Sequence, residues 1–486
     1  MGQEISTCHF TDADFDRFRD RLHRETALLA SWFESQPDTP PNTPKLTIGF
    51  ELEAWLVDRG CHPIPTNQTY LDNLNDPLVG PELAKFNVEL NTTPLLLAGD
   101  CFQRVRTEFD RTWDRCCQVA RQQQSDLIAI GILPTVTPEH LTLANMSEMV
   151  RYRALNERVM NCHENHKIRL DIEGRDRWQS FHSDLIVEAA ATSFQIHLQV
   201  PPASAARYFN AACIASAPLV AISANAPYLF GHNLWSETRI PVFEQVMAAP
   251  DLAHIPSTPD IPASRVNFGC EYVRHSLLEC FEENRDRYPI LLPIQLDDDP
   301  ATFSHLRLHN GTIWRWNRPL IGFDPDGSPH LRIEHRVIPA GPTTLDTLAN
   351  AAFFFGLTHA LATSPDPPEA SLTYDRVRAN FYAAARHSLD AQIIWFDSSS
   401  PDAPLSMREL LTETITLADR GLQALDIDPG DRQTYLGIIR DRLQTAQTGA
   451  AWQRAYVAKY GPDMQALTAT YLARQTAGHP VHTWTV

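Results

Sequence analysis

Glutamate side chains occupy alternate positions in a short apolar segment near the start of the chain, where residues 48–55 read IGFELEAW. In an extended strand Glu51 and Glu53 would project from the same face, because residues i and i+2 share a side. Two neighbouring carboxylates repel when they are buried, and a divalent cation bound by their oxygens removes that cost. A single pair of this kind is also typical of a solvated strand face, so the pattern alone leaves both interpretations open.

The same spacing recurs in three later segments, which read NVELN at 87–91, SFQIHLQV at 193–200 and LRIEHRV at 331–337. Each segment has its polar residues at alternate positions. These residues are Asn87, Glu89 and Asn91; Gln195, His197 and Gln199; and Arg332, Glu334 and Arg336. The intervening positions of 193–200 are apolar and predict a core face. The recurrence favours one sheet face that carries all four sets.

These residue types suit the binding of metal ions and phosphates. Carboxylates on three of the four segments, one imidazole and several arginines, gathered on one face, would bind two or more Mg²⁺ ions beside guanidinium groups. Phosphoryl transfer needs this equipment, because metal ions bridge phosphate oxygens and arginines stabilise the developing charge. The spacing therefore indicates a metal–nucleotide site and does not identify the substrate.

Three further polar residues are candidates for ligand contacts. Asn225, in the segment SANAP at 223–227, could line a small pocket or cap the end of a helix. Arg239 could bind a substrate carboxylate with its forked guanidinium, or form a surface ion pair. Residues 308–320 are predicted as a strand whose tryptophans are core and whose Arg315 and Asn317 face the site.

The composition disfavours some classes of partner. The chain has 59 acidic and 41 basic side chains and a formal net charge of −18, which repels phosphate backbones and anionic lipid. We therefore expect no nucleic-acid partner and no membrane partner, and we see no apolar run that predicts a bilayer span. Nine cysteines without a CxxC pair indicate reduced thiols and a cytoplasmic location.

Strand-like and helical segments must position these residues. Strands are predicted at 46–57, 86–90, 127–133, 193–200, 306–316 and 330–338, and helices at 11–34, 100–124, 203–222 and 344–361. The elements do not alternate as βαβ units, and no glycine-rich phosphate loop follows a strand. This favours an α+β fold with a mixed or antiparallel sheet over a doubly wound one.

Proline-rich segments divide the chain into three predicted parts. Residues 1–44 form an N-terminal helix and a linker, residues 45–362 a catalytic α+β domain, and residues 363–486 a helical region packed against that domain. Helices in the last part are predicted at 375–387, 407–425, 432–460 and 464–477.

Five blocks occur in the order of a known family: GFELE at 49–53, ELN at 89–91, QIHL at 195–198, SANAP at 223–227 and RIEHR at 332–336. Together they resemble the glutamate–cysteine ligase family, in particular its second bacterial group of carboxylate–amine ligases. The resemblance spans roughly residues 45 to 345. It implies an α+β fold like the catalytic domain of glutamine synthetase, with a curved, mainly antiparallel sheet that carries the site.

The resemblance also implies a reaction. Family members use ATP and Mg²⁺ (or Mn²⁺) to form γ-glutamyl phosphate, which the amine of cysteine attacks. The implied partners are small molecules, namely glutamate, an amine acceptor and ATP. Two alternatives stay open: a γ-glutamyl ligase for another amine, and a sensor that binds glutamate or nucleotide without catalysis. An acidic acceptor pocket would favour a polyamine, and a small pocket beside Asn225 would favour cysteine.

Carried over block by block, the resemblance assigns roles. The metal ligands are Glu51, Glu53, Glu89, His197 and Glu334; the nucleotide-binding residues are Gln195, His197, Arg315 and Arg332; the substrate-binding residues are Asn91, Asn225 and Arg239; and the catalytic residues are Arg336 and Arg239. One departure follows Asn91, where the chain continues with Thr92 and the family more commonly has an acidic residue. How the glutamate pocket is completed there is left open.

Overall fold

The computed structural model describes residues 5, 7–37, 45–249, 251–254, 264–395 and 403–486. The strands are β1 Thr47–Val57, β2 Val79–Pro81, β3 Asn87–Asn91, β4 Leu95–Leu96, β5 Asp126–Ile128, β6 Ile168–Glu173, β7 Arg177–His182, β8 Ser193–Val200, β9 Tyr228–Leu229, β10 His232–Asn233, β11 Val266–Asn267, β12 Trp314–Arg315, β13 Asn317–Phe323, β14 Pro329–Pro339, β15 Gln392–Ile393 and β16 Leu405–Ser406.

The helices surround these strands. They are α1 Asp12–Glu34, α2 Asn67–Leu74, α3 Cys101–Gln122, α4 Val150–Cys162, α5 Ala205–Ser223, α6 Arg239–Val246, α7 Leu278–Arg287, α8 Ser304–Asn310, α9 Thr344–Ala362, α10 Tyr374–His387, α11 Met407–Ala424, α12 Pro429–Thr445, α13 Gly449–Tyr460 and α14 Met464–Thr476.

Eight strands form one sheet in which every described pair is antiparallel. The order is β13-β14-β8-β1-β3-β2, with β4 and β5 also paired to β1. The sheet curls into a half-barrel. The long strand β1 is its centre, because β3 lies along one edge of β1 and β8 along the other. The predicted fold class, α+β with a curved and mainly antiparallel sheet, is confirmed.

One face of the sheet is apolar and packs on helices. Phe50 of β1 stacks on Phe194 of β8, with ring centroids 5.3 Å apart, and contacts Phe355 of α9 at 5.9 Å. His335 of β14 lies on this face too, stacked on Phe354 at 4.2 Å. Since successive strand residues point to opposite faces, the side chains between these core residues must lie on the other face.

The helix α5 lies beneath the apolar face. By length and composition the segment Pro202–Ser223 could cross a membrane, but 89% of it is buried inside the protein. It contacts α9, α10 and β14. A helix that is apolar all round is expected where the protein surrounds it on every side, and this packing accounts for its composition.

The C-terminal helices contact the same body. The hydroxyl of Tyr471 in α14 donates to the carbonyl of Ala129 at 3.0 Å and accepts from Asn225 Nδ2 at 2.8 Å. The side chain of Gln475 bonds both the N–H and the carbonyl of Ala129. The proposed division at residues 44 and 362 stays a prediction, and residues 38–44 of the predicted linker lie outside the described residues.

Three predicted elements are wrong. The strand predicted at 127–133 ends at Ile128, where β5 ends. Residues 306–316 are not one strand: the helix α8 ends at Asn310 and only Trp314–Arg315 pair as a strand. Glu25 of α1 fixes the helical turn, because its carboxylate accepts from the backbone N–H of Leu306 at 2.9 Å. The predicted helix 432–460 is two helices, because Ala446 turns into the left-handed region, at φ 54°, and Thr448 caps a new helix.

Helices α9 and α11 approach so closely that each needs a glycine at the crossing. A Cβ on Gly356 would collide with the carbonyl of Ala418, and one on Gly421 with the carbonyl of Gly356. We expect Gly356→Ala to destabilise the protein by about 1–3 kcal/mol, the usual cost of overpacking. At Gly437, in α12, the place that a Cβ would take has no atom within 4 Å.

The matched control is therefore Gly437→Ala. This change should stabilise the protein by about 0.5–1 kcal/mol, because alanine loses less backbone entropy in a helix. Urea unfolding followed by circular dichroism measures both variants. Equal effects of the two substitutions would contradict the close packing of α9 on α11.

Candidate active site

The polar face of the sheet brings four strands together. Their opposed pairs are Glu53 with Glu89, Glu51 with Asn91, Glu51 with Gln195, and His197 with Glu334. Directly opposed residues have Cβ atoms about 4.5–5.5 Å apart. The backbone register of β3, β1, β8 and β14 therefore sets the spacing of the site, and the sheet holds it rigidly.

One group of metal-binding atoms belongs to β1, β8 and β14. His197 Nε2 lies 3.0 Å from Glu51 Oε1 and 3.9 Å from Glu334 Oε1. One ligand atom from each residue can be chosen so that all lie within 4.8 Å of one another. Neither ring nitrogen of His197 has a hydrogen-bond partner among the described residues. Nε2 of His197 thus faces an oxygen of each carboxylate, and a divalent cation could take one ligand atom from each of the three residues.

A second group lies beside it, formed by Glu53, Glu82 and Glu89, whose ligand atoms also lie within 4.8 Å of one another. The two oxygens of Glu53 accept from Ser193 N at 2.7 Å and from Gln195 Nε2 at 2.8 Å. These two hydrogen bonds orient the Glu53 carboxylate. All three members of the group are carboxylates, and none is a cation.

Burial and charge shift the carboxyl groups in opposite directions. Burial raises the pKa of Glu53 to about 7 and that of Glu82 to about 7, and it raises the pKa of Glu89 well above its usual range. Burial also acts on Glu51, but His197 outweighs it and leaves the Glu51 pKa at about 2. The pKa of Glu334 is lowered for a similar reason, because Arg318 and Arg336 outweigh its burial.

Arginines line the β14 side of the site. Arg318 forms a bidentate pair with Glu334, at 2.7 and 2.9 Å. Arg336 lies between Gln195 Oε1 and Glu334 Oε2, the latter at 3.1 Å. Arg332 is different, since its buried Nε has no hydrogen-bond partner among the described residues. A desolvated guanidinium with free donors is suited to a phosphate.

A cavity of about 350 Å³ opens on this face. Its charged lining residues are Glu51, Glu53, Glu82, Glu89, Arg151, Glu188, Arg307, Arg318, Arg332, Glu334 and Arg336. Arg318 and Arg307 influence the pKa of Arg332, so the three guanidiniums lie near one another. The cavity therefore has a cationic side, at Arg307, Arg318 and Arg332, and an acidic side, formed by the group Glu53–Glu82–Glu89 together with Glu188.

The donor set fits hard divalent cations. Mg²⁺ and Mn²⁺ prefer carboxylate oxygen, with imidazole acceptable to Mn²⁺. Three carboxylates at one group carry a repulsion that only cations or protons relieve. The raised pKa values of Glu53, Glu82 and Glu89 are the result of that repulsion and of burial.

Four predicted site residues are absent from the cavity lining. Arg239 is 1% exposed and donates to Glu237, Ser193 and Val337, so its guanidinium lies in a buried network, and its contact with substrate stays a prediction. Asn225 is fully buried, with its amide bonded to the Ala340 carbonyl and to the Tyr471 hydroxyl.

Arg315 is the third of these residues. It pairs with Glu283 at 2.8 Å and bonds Asn284 at 2.9 Å. Its neighbour Asn317 bonds His335 and Ser216 on the core side of the sheet. The sequence predicts that both face the site, and the short strand β12 directs Arg315 elsewhere because it pairs with β11 and not with the main sheet.

Asn91 occupies an intermediate position. It is partly exposed at the edge of the polar face and donates to Glu89 Oε1 at 3.0 Å. Its amide therefore orients a carboxylate of the second group.

Sequence reasoning missed several lining residues. Arg318 opposes Glu334 across the β13–β14 pair, a register that no local pattern reveals. Glu82 lies in a connection without periodicity. Glu188 could have been predicted from the sequence, because it is a lone carboxylate in the apolar run LIVEAAA. Burial raises its pKa to about 8.

The second group gives a prediction about stability and pH. Since the pKa of Glu89 is raised above its usual 4.5 in the folded protein, the wild type loses stability as pH rises above that value. Glutamine does not ionise, so Glu89→Gln lacks this loss. In EDTA the free energy of unfolding of Glu89→Gln, relative to that of the wild type, should therefore rise between about pH 5 and pH 8. Bound metal ions should raise the wild-type melting temperature more at pH 8 than at pH 5.5.

Thermal unfolding measures this, once in EDTA and once with about 5–10 mM Mg²⁺ or Mn²⁺. The metal ion is in excess because stabilisation by a bound ligand grows with its free concentration. Glu89→Gln should lose most of the metal-induced rise. The control Glu188→Gln, a buried carboxylate of the same cavity outside both groups, should keep it. An undiminished rise in Glu89→Gln would show that the second group binds no metal.

Comparisons with known proteins bear on the fold and on the family. No curated protein matches the sequence significantly. The fold is similar to that of a glutamate–cysteine ligase from Francisella tularensis in complex with AMP, with a TM-score of 0.55 and 10% identity over 92% of this chain and 97% of that one. It is also similar to a bifunctional glutathione synthetase from Pasteurella multocida, with a TM-score of 0.51 and 11% identity over 94% of this chain. This chain spans 55% of the length of the latter protein.

At such identities these structures establish a shared fold alone. The sequence itself matches the family described as glutamate–cysteine ligase family 2 over residues 47–474. This match covers both ligand groups and the C-terminal helices through most of α14. The chain belongs to glutamate–cysteine ligase family 2.

Proposed function

We propose that the protein is an ATP- and Mg²⁺-dependent ligase that activates the γ-carboxylate of glutamate and joins it to an amine. One observation carries the proposal: two ligand groups, Glu51–His197–Glu334 and Glu53–Glu82–Glu89, lie on one sheet face beside arginines. Membership of the family supports the same reaction class. Nine free cysteines support a cytoplasmic location, where thiols stay reduced.

The two groups would hold the cations. When bound there, Mg²⁺ would neutralise charge on the phosphate oxygens of ATP and polarise the transferring group. Arg332, with a buried and unpartnered Nε among the described residues, would bind a phosphate oxygen directly. Arg318 and Arg336 are paired with Glu334, so they would position that carboxylate and present their remaining N–H groups to the developing charge.

The chemistry balances in two displacements. A γ-carboxylate oxygen of glutamate attacks the terminal phosphorus of ATP, the bond to the bridging oxygen breaks, and ADP leaves with that electron pair. The neutral amine then attacks the acyl carbon, inorganic phosphate leaves, and the nitrogen loses a proton. Fixing the reactants on a rigid sheet contributes to both steps, because orientation converts bimolecular encounters into intramolecular ones.

Cysteine is the acceptor that the family suggests. A small pocket beside Asn225 would favour cysteine. Asn225 is fully buried and does not line the cavity, so its position gives cysteine no support. The acidic side of the cavity, at Glu82 and Glu188, favours a second candidate, a cationic amine such as a polyamine. Burial raises the pKa of Glu82 to about 7 and that of Glu188 to about 8. A cationic amine beside these carboxyl groups would favour their ionised forms and pair with them, whereas a thiol would not.

The first experiment measures phosphate release from ATP with Mg²⁺ and L-glutamate, in the presence of cysteine, other amino acids and polyamines. Release that requires glutamate and cysteine would establish the first acceptor. Release with a polyamine would keep the ligase and change the acceptor. Folded protein that binds nucleotide and releases no phosphate with any acceptor would favour the sensor and reject the ligase.

The arginine–carboxylate cluster yields a kinetic prediction. Glu334→Gln and Arg336→Ala should each lower kcat/KM about a hundredfold or more, the usual loss of about 3–4 kcal/mol when one well-placed charge is removed from a site. The control Glu148→Gln changes an exposed carboxylate paired with Lys85 and should retain activity. Circular dichroism tests whether the variants fold, and wild-type turnover in either site variant would contradict the assignment.

A further inference from the structure

A second cavity, of about 1210 Å³, lies against the helix α6. Phe243 and Met247 line the sheet-face cavity, whereas Glu244 and Ala248 line the second one. Phe243 and Glu244 are consecutive residues of α6 that line different cavities, so α6 and the two residues that follow it lie between the two spaces. The two cavities share no lining residue. A ligand in the second cavity would therefore occupy a site of its own.

The charge of this second cavity contrasts with the acidic chain. Its lining includes the cations Lys167, Arg169, Arg175, Arg177, Arg386 and Arg454 and the acids Asp171, Glu173, Glu244 and Asp390. The acid Glu244 bonds the Trp316 indole and the Tyr382 hydroxyl, each at 2.8 Å, and burial raises its pKa to about 7. A pKa near 7 leaves this carboxyl group only partly ionised at neutral pH.

The remaining pairings leave cations in excess. Asp171 accepts from both Arg169 and Arg177. Asp390 pairs with Arg408, at 2.9 Å. The side chains of Arg175 and Arg386 have no ion pair among the described residues, although both line the cavity.

Arg454 strengthens this excess. Its guanidinium donates to Asn233 Oδ1 at 2.9 Å, Ser236 Oγ at 2.8 Å and the carbonyl of Leu234 at 3.0 Å, all neutral acceptors. Burial, and next the charge of Arg175, lower its pKa to about 10. The neutral bonds orient the guanidinium without cancelling its charge.

Arg386 is also positioned in advance. Its guanidinium carbon lies 4.5 Å from the ring centroid of Trp235. The indole N–H of Trp235 donates to the carbonyl of Glu173 at 2.8 Å, which fixes the ring. A stacked guanidinium keeps its edge N–H groups free for a carboxylate or phosphate.

We propose that this cavity binds a small molecule with at least two anionic groups, carboxylates or phosphates, between Arg175, Arg386 and Arg454. Three guanidiniums that have no carboxylate partner among the described residues repel one another, and a polyanion relieves that repulsion while forming charge-assisted hydrogen bonds. The site is additional to the ligase reaction, and its ligand is not a substrate of the sheet-face cavity.

Isothermal titration of the full chain in buffer from which metal ions have been removed by a chelating resin, with pyrophosphate in one series and citrate in another, tests the proposal. Binding should weaken about tenfold or more in the double variant Arg175→Gln/Arg386→Gln, because each substitution removes a charge-assisted hydrogen bond to the anion. Both side chains are exposed, so the variant should fold with an unchanged melting temperature. Preference for one probe identifies the anionic group.

Two controls separate this site from the catalytic cavity. Arg274→Gln removes the same charge at an exposed pair with Glu271 outside both cavities and should bind as the wild type does. Arg332→Gln changes the free guanidinium of the sheet-face cavity and should also retain binding. The proposal would be overturned if neither pyrophosphate nor citrate bound. It would also be overturned if binding were lost in Arg332→Gln and kept in the double variant.

Discussion

The removal of several carboxylates from water on one face of a sheet is the constraint on which this structure depends. Burial alone raises the pKa of these carboxyl groups, and the two sides of the site differ in what offsets this effect. On the β14 side, Arg318 and Arg336 pair with Glu334 and keep it ionised. On the β3 side, Glu53 and Glu89 oppose each other, and neither forms an ion pair with an arginine or lysine within the part of the chain that the structure describes. That half of the site is complete only when protons or metal ions join it.

The antiparallel register explains how a chain can carry such a face. Because pairing places Glu53 opposite Glu89 and His197 opposite Glu334, the ligand atoms are positioned by backbone hydrogen bonds and not by flexible loops. The apolar alternate residues, such as Phe50 and Phe194, anchor the same strands on α5 and α9. Repulsion on one face is thus offset by packing on the other.

This alternation is also why much of the site can be predicted from sequence. Period-2 patterns are local, so the amino-acid sequence alone indicates β1, β3, β8 and β14 and the side chains on their polar face. It does not place Arg239 and Asn225, because their neighbours come from distant segments: Arg239 bonds Val337 and Asn225 bonds Tyr471. A polar residue that serves a buried network has the same local pattern as one that serves a ligand.

Arg239 does not line the cavity but bears on the site through what it contacts. Arg239 donates to Ser193 Oγ, and the backbone N–H of Ser193 donates to Glu53. A displacement of Arg239 would therefore reach the Glu53 carboxylate through one intervening residue. The helix α6 begins at Arg239 and contributes lining residues to both cavities. The ligand groups and the arginine-lined cavity therefore depend on the same short helix for their geometry.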